Sequence, residues 1–114
     1  MDNSRARFYT NLGETGQTIA IDVRSRKPVA RWNVGSHDLQ GLALDTSRNF
    51  LFVACGDHVV SLDAGHTNKV IDSTATGAGL DDIDYSAKEN VLYAAASVTA
   101  TLAMLEVDTK QGFS

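Results

Sequence analysis

Two stretches of this chain repeat one pattern. Residues 39–55 read Leu-Gln-Gly-Leu-Ala-Leu-Asp-Thr-Ser-Arg-Asn-Phe-Leu-Phe-Val-Ala-Cys, and residues 80–96 read Leu-Asp-Asp-Ile-Asp-Tyr-Ser-Ala-Lys-Glu-Asn-Val-Leu-Tyr-Ala-Ala-Ala. Leu39 falls on Leu80, Leu42 on Ile83, Leu44 on Tyr85, Asn49 on Asn90, Leu51 on Leu92 and Phe52 on Tyr93, each pair 41 positions apart. Six matches in one register define an internal repeat. A period near forty, with several short strands in each unit, is that of a propeller blade.

The strands can be placed along the chain. Residues 7–11 are aromatic and β-branched and read as a strand, 12–16 as a turn with two glycines, and 18–22 as the partner strand with Ile19 and Ile21 on one face. Residues 22–28 form a polar hairpin in which Asp22 accepts backbone amides and Pro28 leads into a strand at 29–34, with Ala30, Trp32 and Val34 on one side. The full unit follows: strands at 40–45, 50–55, 58–63 and 69–75, with turns at 46–48, 56–57 and 64–68. A third unit has strands at 82–86, 91–96 and 102–108 and an insertion at 97–100, inferred from Asp22, Asp63 and Asp108 standing in one place after the third strand.

The expected fold is all-β: one partial β-propeller over 1–114, built of antiparallel blades at about 7–35, 39–76 and 80–114. The first blade is expected to lack its inner strand and the last its outer one. A blade buries its faces only against neighbours, so an open row leaves apolar faces and strand edges uncovered. The lone chain is therefore expected to associate with copies of itself, as a dimer or trimer, or to belong to a longer propeller. Two copies would make about five to six blades and three about seven to eight, within the range of closed propellers.

Composition narrows the function classes. With 114 residues, 43% of them hydrophobic, the chain can bury a modest core and is not disordered. A net charge of -4 gives no footing for nucleic acid, and Arg5, Arg7, Arg24, Arg26, Lys27 and Arg31 read as solvated strand ends and turns. Cys55 is the sole cysteine, so no internal disulfide forms. The first residues lack the apolar core of a signal peptide, and no stretch has the length and hydropathy to span a bilayer. The expectation is no membrane insertion and, by default, a cytoplasmic location; a removed signal peptide would make it periplasmic or extracellular.

Phe8-Tyr-Thr-Asn11, Ile19-Ala-Ile-Asp22 and Lys27-Pro-Val-Ala-Arg-Trp32 come in the order and spacing of the YVTN-repeat β-propellers, which the chain resembles over nearly its whole length. The first motif returns as Phe52-Val-Ala-Cys55 and Tyr93-Ala-Ala-Ala96, the second as Val60-Ser-Leu-Asp63 and Leu105-Glu-Val-Asp108, the third loosely as 69–77. The third unit departs from the pattern by replacing the asparagine of the first motif with alanine. No Trp-Asp dipeptide closes a blade, which separates the chain from WD40 repeats. Members of the resembled family have about seven blades. The resemblance implies a propeller fold and brings no catalytic residue and no cofactor.

One end of the blades gathers the polar residues. The connections into the inner strands and the hairpin between second and third strands open on the same face and bring together Ser36, His37, Asp38 and Gln40 with Asp57, His58, Asp81 and Asp82. His37, Asp38, Asp57, His58, Asp81 and Asp82 are the candidate ligand-binding residues, with no catalytic residue assigned. Two His–Asp neighbours fall short of the three or four convergent ligands a metal needs, so no metal is assigned. Asp82 and Asp84 alternate with Ile83 and Tyr85 and are expected to face a channel wall. Cys55 is expected to be a buried packing residue, and Trp32, Phe8, Phe52 and Tyr93 to lie in the core. The function expected is a non-enzymatic binding or scaffold module for a protein or small-molecule ligand. The alternatives are a hydrolase or lactonase-like enzyme with a metal in the channel, and a purely structural blade array.

Overall fold

The run Phe50–Cys55 shows no polar–apolar alternation, which suits a strand covered on both faces. The computed structural model describes residues 7–12, 15–35, 39–66, 69–96, 101–108 and 112–113, and these form eleven strands in three antiparallel sheets. The first sheet is β1 (Arg7–Leu12), β2 (Gln17–Asp22) and β3 (Pro28–Asn33). The second is β4 (Leu39–Asp45), β5 (Phe50–Cys55), β6 (His58–Asp63) and β7 (Val70–Ala75). The third is β8 (Leu80–Ser86), β9 (Val91–Ala96), β10 (Thr101–Asp108) and β11 (Gly112–Phe113). Strands pair in chain order within each sheet, so each sheet is a meander.

The middle sheet is packed on both sides. Phe50, Phe52, Ala54 and Val59 join Leu80, Ile83, Leu92, Ala94 and Val107 of the third sheet in one core. Leu51, Val53, Cys55, Val60, Leu62 and Ala64 join Tyr9, Ala20 and Trp32 of the first sheet in another. Every residue of β5 is buried as a result, whereas β9, covered on one face, keeps Leu92, Ala94 and Ala96 buried and leaves Ala95 exposed. β3 alternates in the same way, with Trp32 inside and Val29, Arg31 and Asn33 outside. Cys55 is buried and forms no disulfide, as its place at the end of the run suggests.

The repeat extends to the irregularities. The β4–β5 ladder shifts between Leu39 and Gly41 and the β8–β9 ladder between Leu80 and Asp82. The β2–β3 shift at Ala20/Ile21 recurs at Ser61/Leu62. Asn49 and Asn90 close equivalent turns at φ 62° and 56°, a left-handed conformation that asparagine accepts far better than alanine. Asn49→Ala is therefore expected to cost about 1 kcal/mol and Asn49→Gly distinctly less, measured by urea unfolding. Equal losses for the two would contradict the conformational reason for the asparagine. Gly65 lies against this side chain: a Cβ there would come within 2.6 Å of Asn49 Nδ2.

Four expectations are corrected. The third sheet has a fourth, outer strand of two residues, β11, where the sequence reading ended the blade at three. Phe8 is half exposed rather than core. The β1–β2 ladder sets Tyr9 opposite Ala20 as the β5–β6 ladder sets Phe52 opposite Ser61, so Tyr9, not Phe8, holds the place of Phe52. Tyr93 is only partly buried, on the outer face of the third sheet, where its hydroxyl donates to Glu89 at 3.0 Å. Finally, Val107 N donates to Asn90 O as Ala64 N does to Asn49 O, which puts Glu106 rather than Asp108 in the place of Asp63. The insertion at 97–100 lies outside the described residues.

Candidate functional site

The Gly56–Asp57 turn joins β5 to β6, and the chain leaving β7 is stitched onto it. Thr76 N donates to Asp57 O at 2.8 Å and Leu80 N to Gly56 O at 2.8 Å. Those two bonds bring the start of β8 to the hairpin, so the backbone at Asp57 and His58 lies at the same end of the blades as the start of β8, with Asp81 and Asp82. His58 Nδ1 and Asp57 Oδ1 are 2.8 Å apart, with the carboxyl 77% and the imidazole 35% exposed. The hydrogen bond with His58, and then its electrostatic attraction, hold the Asp57 carboxyl below its ordinary range. The pair is an exposed acid–imidazole couple able to accept a hydrogen-bonding or cationic group from outside. Among the described residues no three His, Cys, Asp or Glu side chains converge as a metal would require.

The acidic run in β8 has a different orientation from the one expected. Asp82 lies opposite Ala95 and Asp84 opposite Tyr93, while Ile83 is buried in the core shared with the second sheet. Asp82 and Asp84 do share a side, and Ile83 and Tyr85 the other. That side is the outer face of the third sheet, not a channel wall. A strand's alternate side chains point to the two faces of its sheet, and in a blade those faces look toward the flanking blades. His37 and Asp38, with Ser36, lie outside the described residues, and Asp81 is placed by its backbone within β8.

Two polar clusters between the sheets escaped the sequence reading. Asp45 is buried at the end of β4. Its Oδ1 accepts from Ser47 N, Ser47 Oγ and Arg48 N, and its Oδ2 from Arg48 Nη1 at 3.0 Å. Arg48 Nη1 reaches the Tyr85 hydroxyl and Nη2 reaches Asn90 Oδ1, each at 3.0 Å, which ties the second sheet to the third. Burial would raise the Asp45 carboxyl, but the bonds from Ser47, Arg48 and Tyr85 outweigh it and hold the group below its ordinary value. Burial, then the bond with Asp45, push the Tyr85 phenol up. The second cluster joins the first and second sheets, where Trp32 Nε1 donates to Asp63 O at 3.1 Å and His66 O at 2.9 Å. The available signal for the first was Tyr85 standing where the preceding repeat has Leu44.

An open depression lies between β1 and β4, lined by Tyr9, Thr10, Asn11, Leu39, Gln40, Gly41 and Leu42. It occupies the place an inner strand of the first sheet would take, because β1 is the innermost strand of that sheet.

No family model matches the chain, and no curated protein matches it. Solved structures do. Kuenenia stuttgartiensis hydrazine synthase superposes with a TM-score of 0.82 at 16% identity, over 94% of this chain and 31% of that one. The β-propeller domain of Myceliophteria thermophila Cps50 (Swd1) gives 0.79 at 12% identity, over 94% and 34%. The dihydro-heme d1 dehydrogenase NirN, in complex with DHE, gives 0.78 at 15% identity, over 98% and 24%. At such identities the likeness defines the fold: the chain is a partial β-propeller of three blades. It spans between 24% and 34% of the length of these three structures.

Proposed function

We propose that the chain is a non-enzymatic binding or scaffold module, built on propeller repeats of the YVTN type. The observation that carries this reading is the pair of terminal sheet faces. Phe8 and Leu12 on the first sheet and Leu102 and Met104 on the third are large, apolar and exposed, while the equivalent faces of the second sheet are buried against neighbours. Large apolar side chains left exposed together on one sheet face mark a protein contact. The YVTN reading is supported by the aspartates that end the second motif. Asp22 Oδ2 accepts Ser25 N and Asp63 Oδ1 accepts Gly65 N, so the two equivalent aspartates both open the hairpin that follows. The end carrying Asp57 and His58 supplies the polar ligand-binding surface of the module.

The rival reading is a metal-dependent hydrolase or lactonase-like propeller enzyme using the same end, for which the Asp57–His58 couple would be part of the machinery. Elemental analysis of the purified protein separates them. The binding reading expects no stoichiometric metal in the wild type or in His58→Ala. One ion per assembled ring, lost in His58→Ala, would overturn it.

A further inference from the structure

The two open faces differ in charge, and the difference is complementary. On the third sheet the outer face is built of three cross-strand rows: Asp82–Ala95–Leu102, Asp84–Tyr93–Met104 and Ser86–Val91–Glu106. Asp82, Asp84, Leu102, Met104 and Glu106 are all exposed, with Leu102 at 62% and Met104 at 68%. Three carboxylates and no cation stand in these rows. On the first sheet the outer face has the rows Phe8–Ile21–Pro28 and Thr10–Ile19–Arg31, and beside it lies the β2–β3 hairpin with exposed Arg24, Arg26 and Lys27. Its rows contain a cation and no carboxylate.

The molecule also shows how such faces meet. Each inner contact joins the forward face of one sheet to the backward face of the next: β5 offers Phe52 and Ala54 forward to Leu92 and Ala94, and Val53 and Cys55 backward to Tyr9 and Trp32. Leu102 and Met104 occupy the forward positions of the third sheet, and Phe8 and Ile21 the backward positions of the first. By repeat geometry the end of β10 and the β2–β3 hairpin lie at the same level of their blades, which places Glu106 facing the basic hairpin of a following blade.

We propose that a second copy of this chain docks its first sheet on the third sheet of the one before it, head to tail, with Leu102 and Met104 against Phe8 and Ile21 and the acidic rows against Arg31 and the β2–β3 hairpin. The contact is heterologous: each copy gives one kind of face and receives the other, an arrangement that closes into a ring when the rotation from copy to copy divides a full turn. Charge complementarity orients such a contact and excludes the like-faced pairings. This inference rests on the reading of the terminal faces as binding surfaces.

Light scattering on a sizing column tests it with three proteins, each checked for unchanged circular dichroism, and with a mixture of two of them. The wild type is expected as a discrete dimer or trimer of the 12.2 kDa chain. Asp82→Lys/Asp84→Lys/Glu106→Lys alone and Arg24→Glu/Arg26→Glu/Arg31→Glu alone are each expected to run as monomers. Mixed in equal amounts they are expected to form a complex, because each then meets a face of opposite charge. A monomeric wild type would overturn the proposal and point instead to further blades of a longer chain. Variants that associate like the wild type, or a charge change that acts on one face only, would overturn it in favour of a symmetric contact. A monomer free of metal defeats this inference alone, whereas a monomer holding a metal that His58→Ala releases defeats the proposed function as well.

Discussion

Replacing Trp32 by alanine is expected to lower the unfolding free energy by about 3–5 kcal/mol. Trp32 is fully buried and is the largest side chain in the core between the first and second sheets. It packs on Tyr9 with ring centroids 6.2 Å apart, and its indole nitrogen bonds the carbonyls of Asp63 and His66 across the sheet boundary. One side chain therefore supplies both the filling of this interface and a polar tie to the neighbouring hairpin. Trp32→Phe separates the two contributions: it keeps most of the volume and loses the donor, for an expected cost of about 1 kcal/mol from the bond plus a smaller packing loss. Urea unfolding curves measure both. An alanine variant within about 1 kcal/mol of wild type would mean that the first sheet is not held through this residue.

Asp45→Ala is expected to cost about 3 kcal/mol, because it leaves the Arg48 guanidinium partly buried beside Tyr85 without its carboxylate. The pH dependence follows from the lowered Asp45 carboxyl. A group whose folded value lies below its unfolded one stabilises the fold at every pH above the unfolded value, near 3.8, and that contribution fades as pH falls through the folded value. The stability gap between wild type and Asp45→Asn is thus expected to be constant from pH 5 to pH 7 and to shrink below about pH 4. A gap that widens on acidification would contradict the bonding described at Oδ1 and Oδ2.

Much of the fold was legible because the repeat states it twice. The continuous apolar run at β5 and the Gly56–Asp57 turn place the middle blade, and a strand seen in one unit can be checked against its copy in the other. Asp22 was readable as a hairpin opener because that role is local, and the structure shows the bond to Ser25. Phe8 was misplaced because the β1–β2 connection is longer than the two-residue turn between β5 and β6. Aligning the aromatic residues then slipped the register by one and sent the wrong residue to the core. Asp82 and Asp84 were correctly paired but wrongly aimed, since alternation gives sides and not what each side faces. The Asp45–Arg48–Tyr85 network was hidden because its partners come from two blades and meet only in the packed molecule. At the candidate site the sequence placed Asp57, His58 and Asp82 at one end, while His37 and Asp38 lie outside the described residues. The geometric facts that were not legible were the 2.8 Å couple at Asp57–His58 and the outward turn of Asp82.

The central structural claim is that β5 divides two separate cores, and nuclear Overhauser contacts from its side chains test it most directly. The expected spectrum has the Phe52 ring in contact with Tyr85, whose centroid lies 5.5 Å away, and the Val53 methyls in contact with the cluster of Trp32 and Tyr9. Neither residue should reach the other's cluster. Contacts from both Phe52 and Val53 to one set of neighbours would mean that the three sheets are not stacked as successive blades, and would contradict the account.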